Sequence, residues 1–307
     1  MELRHLRYFV AVAEEGHVTR AAERLGMQQP PLSQQIRALE REVGAQLFRR
    51  KPRGMELTAA GRAFLGDAQA ILAQVEHAFA TTRRTARGEE GRIGVGFTSS
   101  APFHPFVPRV IRAFREGSPL VALSLEESGT GELVEALRDE KLDAVFIRSS
   151  AVDLSDLAVH RLMDEEMIAA LPAGHSLAGK NSMIALAALS NEPFVLYRRP
   201  AGPGFYDAII TACRDAGFNP AVAQEAPRIL STLNLVAAGL GISIVPASLQ
   251  RMQMDGVVYR RLKTARKLIA PLSLAVRRSE ASAAVRRFVD LVRRSARTFE
   301  PDKTVAG

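Results

Sequence analysis

Residues 19–40 read TRAAERLGMQQPPLSQQIRALE and place two adjacent prolines, Pro30 and Pro31, directly before a helical pattern. Proline lacks a backbone N–H and its φ is fixed, so it is well tolerated in the first turn of a helix, where N–H groups have no intrahelical partner. The prolines therefore predict the start of a helix. Leu32, Ile36 and Leu39 follow at helical spacing and predict its buried face.

Two shorter helices precede this one. The first spans LRHLRYFVAVAEE and ends at Gly16, and the second is capped by Thr19 and ends at Gly26. The second helix, the tight Gly-containing turn after it and the third helix with its polar residues outward form the helix-turn-helix plan. The apolar positions predicted to face inward in the first helix are Leu3, Leu6, Phe9, Val10 and Ala13.

The polar face of the third helix carries side chains suited to DNA. Amide and guanidinium groups read adenine and guanine edges in the major groove, and the free N–H groups at a helix start suit a phosphate. The segment FRRKPRGMELT then predicts a β-hairpin wing whose bases contact phosphate or the minor groove. The predicted DNA-binding residues are Thr19, Gln28, Gln29, Pro30, Pro31, Ser33, Gln34, Arg37, Arg49, Arg50, Lys51 and Arg53.

Each of these features alone would also fit a solvated surface. Their order along the chain, and the long helix that follows them, favours DNA binding. Charge agrees, because residues 1–87 hold 14 Lys/Arg against 9 Asp/Glu in a chain of net charge +8. Double-stranded promoter DNA is therefore the expected partner.

The helical pattern from Ala59 to about Arg87 repeats its apolar residues at alternating spacings of four and three. This is a heptad pattern, which predicts a partner helix and hence a dimer; a core helix of the following domain is the alternative. The predicted dimerisation residues are Phe64, Ala68, Ile71, Val75, Ala78 and Phe79, with Thr82 continuing the pattern.

Beyond residue 88 strand-like and helix-like segments alternate, which predicts α/β sheets, largely parallel, in two lobes. The polar, Gly-rich stretch GEEGRIG, residues 88–94, is the expected domain boundary. The expected domains are 1–58 for the winged helix-turn-helix, 59–87 for the linker helix and 88–307 for the effector domain. Within the last, lobe I takes about 92–163 and 268–300, and lobe II about 164–267.

Other classes of protein find little support in the composition. The six histidines are scattered without metal-binding spacing, and the one cysteine, Cys213, lies inside an apolar helix. No enzyme activity, metal or cofactor is therefore expected. GVGF, residues 94–97, lacks the third glycine of a dinucleotide-binding loop and fits a closely packed strand equally well. The absence of a signal peptide, of disulfide-forming cysteine pairs and of a membrane-spanning segment predicts a cytoplasmic protein.

The sequence resembles the LysR-type transcriptional regulators. The resemblance is densest in LRHLRYFVAVAEEG, AAERLG, QPPLSQQIRALEREVGAQLFRR and LTAAG, and it extends to GELVEALRDEKLDAVFIR and VAAGLGISIVPASL. It implies an all-α winged helix-turn-helix, a dimerising linker helix and a two-lobed effector domain like that of periplasmic binding proteins. It further implies a tetramer, a small effector between the lobes, and RNA polymerase as a partner. Gln34 departs from the arginine that relatives often carry there, which affects the operator sequence.

An effector cleft is predicted between the lobes, where polar residues follow strand ends. Hydroxyls in FTSS, the helix start at SGTGE and Arg148 would suit a carboxylate, and PAGPGF would close over it from the second lobe. Similarity to the activators that respond to aromatic acids implies the same positions, although Gly204 replaces an expected asparagine. The predicted effector-binding residues are Ser99, Ser100, Thr130, Arg148, Pro203 and Phe205.

Two alternatives stay open at this point. Ser99, Ser100 and Thr130 could cap helices, and Arg148 could pair with an acid such as Asp143 or Glu127. At the level of the whole chain, a solute-binding or transport protein would use a similar two-lobed domain, but it would lack the N-terminal module.

Overall fold

The computed structural model describes residues 1–52, 54–148, 153–179, 183–199, 203–279 and 282–300. The chain forms two compact units, Met1–Arg84 and Thr85–Gly307. Each unit has its own apolar core.

Three helices build the core of the first unit: α1 (Leu3–Glu15), α2 (Val18–Arg24) and α3 (Gln29–Val43). The prolines lie in the first turn of α3, and Leu32, Ile36 and Leu39 are buried, as predicted. Two details differ from the sequence prediction. His17, rather than Thr19, caps α2, because its Nδ1 accepts the Thr19 N–H at 3.3 Å. In α1, Leu3 is exposed, and Ala11 and Val12 are buried instead.

A two-stranded antiparallel hairpin, β1 (Phe48–Lys51) and β2 (Gly54–Leu57), forms the predicted wing. Two contacts fix it to the helices. The Glu40 carboxylate accepts the N–H groups of Leu47 and Phe48 at 2.8 and 3.1 Å. Gly54 has a φ of +140°, and a Cβ there would lie 2.2 Å from the Gly16 carbonyl oxygen, so the close approach requires glycine.

The long helix α4 spans Ala59–Ala86, close to its predicted bounds. Its first turns pack on the core of the first unit, where Ala68 is fully buried and the Phe64 ring contacts Phe9 with centroids 5.1 Å apart. Ala68 is therefore buried within one chain, and the half-buried Phe64 contributes to the same intrachain core. Further along, Ile71 is 40% and Phe79 is 53% exposed.

The second unit is built on a mixed sheet instead of the largely parallel one predicted. Its strands are β3 (Glu90–Phe97), β4 (Leu120–Glu127), β5 (Ala144–Ile147), β6 (Leu157–Pro172), β7 (Ile184–Ala185), β8 (Pro193–Tyr197), β9 (Ala221–Ala226), β10 (Ser243–Pro246), β11 (Val257–Lys263) and β12 (Ile269–Arg277). The strand order is β4-β3-β5-β12-β6-β11-β7, with β10 also paired to β6, while β8 and β9 form a separate parallel pair. Strand β3 pairs in parallel with β4 and β5, but β12 and β6 run antiparallel to their neighbours.

The long strand β6 explains the difference, because it continues through both lobes. Its first half pairs with β12 and its second half pairs with β10 and β11. Helices cover the sheet: α5 (Phe106–Gly117), α6 (Thr130–Arg138), α7 (Pro203–Asp215), α8 (Ile229–Ala237) and α9 (Ala283–Arg297), with short 3-10 helices at Ala101–Phe103, Leu186–Leu189 and Ala247–Met252. Separate apolar clusters form in lobe I, around Phe146 and Phe288, and in lobe II, around Phe194 and Cys213.

The expected boundary stretch 88–94 is partly strand, since β3 begins at Glu90. The glycines of this strand have a packing role. A Cβ on Gly96 would lie 2.6 Å from Leu133 Cδ2 and 2.7 Å from Leu142 Cδ1, so GVGF is explained by close packing of α6 on the sheet.

Candidate DNA-reading surface and effector cleft

The start of α3 presents the predicted DNA-reading residues to solvent. Gln28, Gln29, Gln34 and Arg37 are exposed, as are both prolines, and Ser33 is half-buried. The Gln29 Nε2 donates to Ser33 Oγ at 2.8 Å, one helical turn away. Because Leu32, Ile36 and Leu39 face the core, this surface is held on a rigid helix.

Two basic side chains of the wing, Arg49 and Lys51, lie beside the carboxylate of Glu56. Arg49 Nε donates to Glu56 Oε2 at 2.9 Å, and Lys51 Nζ lies 3.1 Å from the same oxygen. These contacts lower the pKa of Glu56 to about 2, chiefly through the hydrogen bonds from Arg49 and Lys51. Arg50 is exposed, and Arg53 lies outside the described residues. The wing therefore presents a partly neutralised basic surface.

In the second unit, a narrow cleft lies between the two lobes. Thr98, Ser99 and Ser100 follow β3, and all three are buried. From lobe II, Tyr197 ends β8, and its hydroxyl lies 3.0 Å from Ser99 Oγ, a hydrogen bond that joins the lobes. Burial raises the pKa of Tyr197, so its hydroxyl stays protonated. The cleft is lined by Thr98, Ser99, Ser100, Thr130, Arg148, Tyr197, Phe205 and Ile229.

Arg148 lies at the base of the cleft and is 2% exposed. Its guanidinium pairs with the buried Glu165 at 2.5 Å and donates to the carbonyl oxygens of Ala270 and Ser100 at 3.3 and 3.4 Å. The alternative prediction that Arg148 pairs with an acid is confirmed, but Asp143 and Glu127 are not that acid. Asp143 pairs with Arg277, and Glu127 pairs with Arg228. Glu165 was not foreseen, because it lies on the half of β6 that the sequence pattern does not reveal.

Glu165 also accepts the backbone N–H of Ser248, at the start of the last 3-10 helix. A buried histidine, His104, belongs to the same electrostatic environment. Burial lowers its pKa to about 4, with Arg148 and Arg251 acting in the same direction and Glu165 against them. Lobe I and lobe II are therefore joined at the base of the cleft by a buried charged network.

Helix capping does not account for the hydroxyls of the cleft. Ser100 makes no capping hydrogen bond with its side chain, and the cap of α6 is Gly129, which leaves Thr130 inside the first turn. The start of α6 is instead occupied by Glu132, whose carboxylate accepts the Gly129 N–H at 3.2 Å and the Ser128 hydroxyl. These contacts lower the pKa of Glu132.

From lobe II, α7 begins at Pro203, and Phe205 on its first turn is 7% exposed and lines the cleft. The preceding residues 200–202 of the predicted closing loop lie outside the described residues. Thr98, which belongs to the predicted FTSS stretch, also lines the cleft, as do Tyr197 and Ile229, which were not predicted. The rule that ligands contact strand ends would have found Tyr197 had it been applied to the second lobe as it was to the first.

Cys213 is buried in the lobe II core, and burial raises the pKa of its thiol to about 11, which disfavours a nucleophilic thiolate. Within the described ranges, no group of three His, Cys, Asp or Glu side chains could hold a metal ion. Among the described helices, none is long and apolar enough to cross a membrane.

Comparison with known proteins decides the family. Residues 3–62 match the sequence profile of the bacterial regulatory helix-turn-helix proteins of the lysR family, and residues 86–297 match that of the LysR substrate binding domain. The chain belongs to the LysR family of transcriptional regulators. With this N-terminal match, a solute-binding or transport protein is not favoured.

Individual relatives cover almost the whole LysR-family chain. The regulator BudR of Raoultella terrigena is 40% identical over 95% of this chain and 100% of its own length, and BenM of Acinetobacter baylyi is 38% identical over 95% of each. The crystal structure of full-length CbnR complexed with its target DNA has a TM-score of 0.85 and 32% identity, covering 96% of this chain and 100% of CbnR. The named relatives are transcriptional regulators.

Proposed function

We propose that this LysR regulator binds promoter DNA through the start of α3 and the wing, and that a small carboxylate effector in the interlobe cleft controls its activity. The observation that carries the DNA-binding part is the polar, exposed face of a helix whose opposite face is locked into the core. Amide and guanidinium side chains on such a helix can reach base edges in the major groove.

Binding to the DNA upstream of the regulator's own gene tests this proposal. Fluorescence anisotropy at several salt concentrations should show that the logarithm of the binding constant falls linearly with the logarithm of the salt concentration. The reason is that Lys and Arg side chains bound to phosphates release counterions from the DNA. Removing one phosphate contact with Arg50→Ala should reduce the slope by about 1. A salt-independent affinity, or equal slopes for Arg50→Ala and wild type, would contradict the proposal.

The effector part rests on the chemistry of the cleft. Buried hydroxyls at Thr98, Ser99 and Ser100, with Phe205 and Ile229 beside them, offer hydrogen bonds to a carboxylate and an apolar wall for its carbon skeleton. Thr130→Ala should weaken effector binding and leave promoter binding intact. A thermal-shift screen of aromatic and dicarboxylic acids tests the ligand class, since a ligand at 100 times its Kd stabilises the folded protein by about 2.7 kcal/mol.

Self-association is proposed through the exposed part of α4. Ile71 and Phe79 are large apolar residues on one long helix, with Val75 and Ala78 between them. A partner helix would bury this stripe, as in a coiled coil. CbnR and BenM supply full-length structures for comparison, and a tetramer of two such dimers is the assembly we expect for this chain, with RNA polymerase as its partner at the promoter. Sedimentation of Ile71→Asp and wild-type protein tests the first step, since the variant should shift to the monomer.

We further propose that the protein is not an enzyme and that it acts in the cytoplasm without a cofactor other than its effector. Its promoter DNA lies in that compartment, and the side-chain contacts within the cleft, Ser99 with Tyr197 and Arg148 with Glu165, do not pair a nucleophile with an activating base. Turnover of any acid that binds in the thermal-shift screen, followed by NMR of the mixture, would contradict the first statement.

A further inference from the structure

Two ion pairs border the cleft, and they differ in burial. The side chains of Arg148 and Glu165 are 2% and 7% exposed, whereas those of Arg228 and Glu127 are 57% and 37% exposed. An exposed pair exchanges partners readily because water and salt compete for both charges, whereas separating a buried pair leaves an uncompensated charge in the protein interior.

Arg148 is the cation that the sequence assigns to an effector, but both terminal nitrogens of its guanidinium are engaged within the protein, and only its buried Nε has no hydrogen-bond partner. The guanidinium bonds Glu165, and its two other acceptors are the backbone oxygens of Ala270 and Ser100. A ligand carboxylate that displaced Glu165 from Arg148 would leave the buried Glu165 carboxylate without its cation, with only the Ser248 N–H as a donor. Arg148 is therefore better suited to holding the cleft together than to recognising a ligand charge.

Arg228 has the opposite properties. It caps α8 directly before Ile229, which lines the cleft, and it reaches from lobe II to Glu127 at the end of β4 in lobe I. Glu127 lies three residues before Thr130, another residue of the cleft wall. Both charges also act electrostatically on the hydroxyl of Tyr197, a further residue of the cleft wall.

We propose that Arg228 is a specificity residue that binds the carboxylate of the effector, in competition with Glu127. This assignment rests on the proposed carboxylate effector. It also gives the exchange a structural consequence, because a ligand that displaces Glu127 replaces a direct bond between the lobes with one that runs through the ligand.

Acetate is a suitable probe, because it carries the carboxylate with only a methyl group and so does not depend on the body of the natural effector. Full-length protein labelled at isoleucine δ1-methyl groups is titrated with acetate at constant sodium concentration, and the Ile229 signal is assigned from its loss in Ile229→Val. The variants are Glu127→Gln and Arg228→Gln. Arg261→Gln serves as the matched control, since it removes an equally exposed ion pair with Glu166 on β11 and β6.

We expect acetate to shift the Ile229 signal saturably, with an affinity about two- to fivefold higher in Glu127→Gln, because an exposed ion pair no longer competes. Arg228→Gln should lower the affinity at least tenfold, Arg261→Gln should match wild type, and the neutral analogue acetamide should give no response that depends on Arg228. No acetate response in Glu127→Gln, or an equal response in Arg228→Gln, would overturn the proposal.

Promoter binding is measured on the same samples to separate the two hypotheses. An acetate response without salt-dependent DNA binding would contradict the proposed function and leave the role of Arg228 standing. Normal DNA binding without an Arg228-dependent acetate response would contradict only the role of Arg228.

Discussion

The start of α3 and the interlobe cleft both carry hydroxyl, amide or guanidinium groups, but they hold them in opposite ways. On α3 the polar side chains are exposed, and the helix is fixed by apolar residues on its other face. In the cleft most of the polar side chains are buried, and two pairs of them bind each other: Arg148 binds Glu165, and Ser99 binds Tyr197. The same chemical groups are thus open to a binding partner on α3, whereas in the cleft they stabilise the contact between the lobes.

This difference separates binding from stability. Substitutions on the exposed face should change DNA affinity while the fold stays intact, because no buried group loses a partner. Substitutions at the base of the cleft should first destabilise the second unit, because each removed group leaves a buried partner unsatisfied.

The largest effect is expected at the buried ion pair. Glu165→Ala should lower the free energy of unfolding of the second unit by about 3–5 kcal/mol, because Arg148 is left as an unpaired charge in the interior. Urea unfolding followed by circular dichroism measures it. Arg161→Ala is the matched control: it breaks an exposed ion pair with Asp164 on the same strand β6 and should cost at most about 1 kcal/mol. Equal losses in the two variants would contradict the structural role of the buried pair.

On the DNA-reading face the effect should fall on binding alone. Arg37→Ala should weaken promoter binding by about 1–3 kcal/mol and relax sequence preference, while the unfolding free energy stays within error of wild type. Anisotropy titrations with promoter and scrambled DNA give both numbers. Arg112→Ala removes the same charge from an exposed position on α5 and serves as the control. If Arg37→Ala unfolded more easily than Arg112→Ala, the exposed face of α3 would contribute to stability as well as to DNA binding, which would contradict the separation of the two roles.

Acid should reveal the buried network of the cleft. The pKa of His104 in the folded protein is about 4, below the ordinary value, so the unfolded chain binds more protons between that pH and about 6.5. Stability is therefore fully present above pH 6.5 and is lost as the pH falls, by about 1 kcal/mol between pH 7 and 5.5. His104→Phe keeps a ring beside Phe299 and removes the titration, so its unfolding free energy should lose less over the same range. Parallel pH profiles for the variant and wild type would show that His104 does not titrate as described.

The same contrast explains how far the sequence could predict the molecule. The apolar spacing of Leu32, Ile36 and Leu39 is local, so the recognition helix and its polar face follow from a short stretch. The first half of β6 carries charged residues without clear alternation, and its pairing with β12 depends on residues about 100 positions apart. Glu165 and its bond to Arg148 were therefore out of reach, and so was the mixed sheet. Strand ends could be predicted one at a time, but not which of their side chains bind each other.

The smallest effect is expected in the wing, where the exposed residue Glu56 holds two residues of the DNA-binding surface. Glu56 is exposed and holds Arg49 and Lys51, and the pKa of about 2 means that it stays ionised throughout the working pH range. Glu56→Gln should leave the unfolding transition unchanged, and it should free Arg49 and Lys51 to bind phosphate. We expect modestly tighter promoter binding and a log–log salt slope steeper by up to about 0.9 for each base that gains a phosphate. Glu76→Gln, at an exposed acid on α4 that pairs with Arg7, removes the same charge outside the wing and should change the slope less. If the Glu56→Gln variant bound DNA no better than wild type, Glu56 would position Arg49 and Lys51 for DNA instead of keeping them from it. This exposed acid would then have a structural role, like the buried contacts of the cleft.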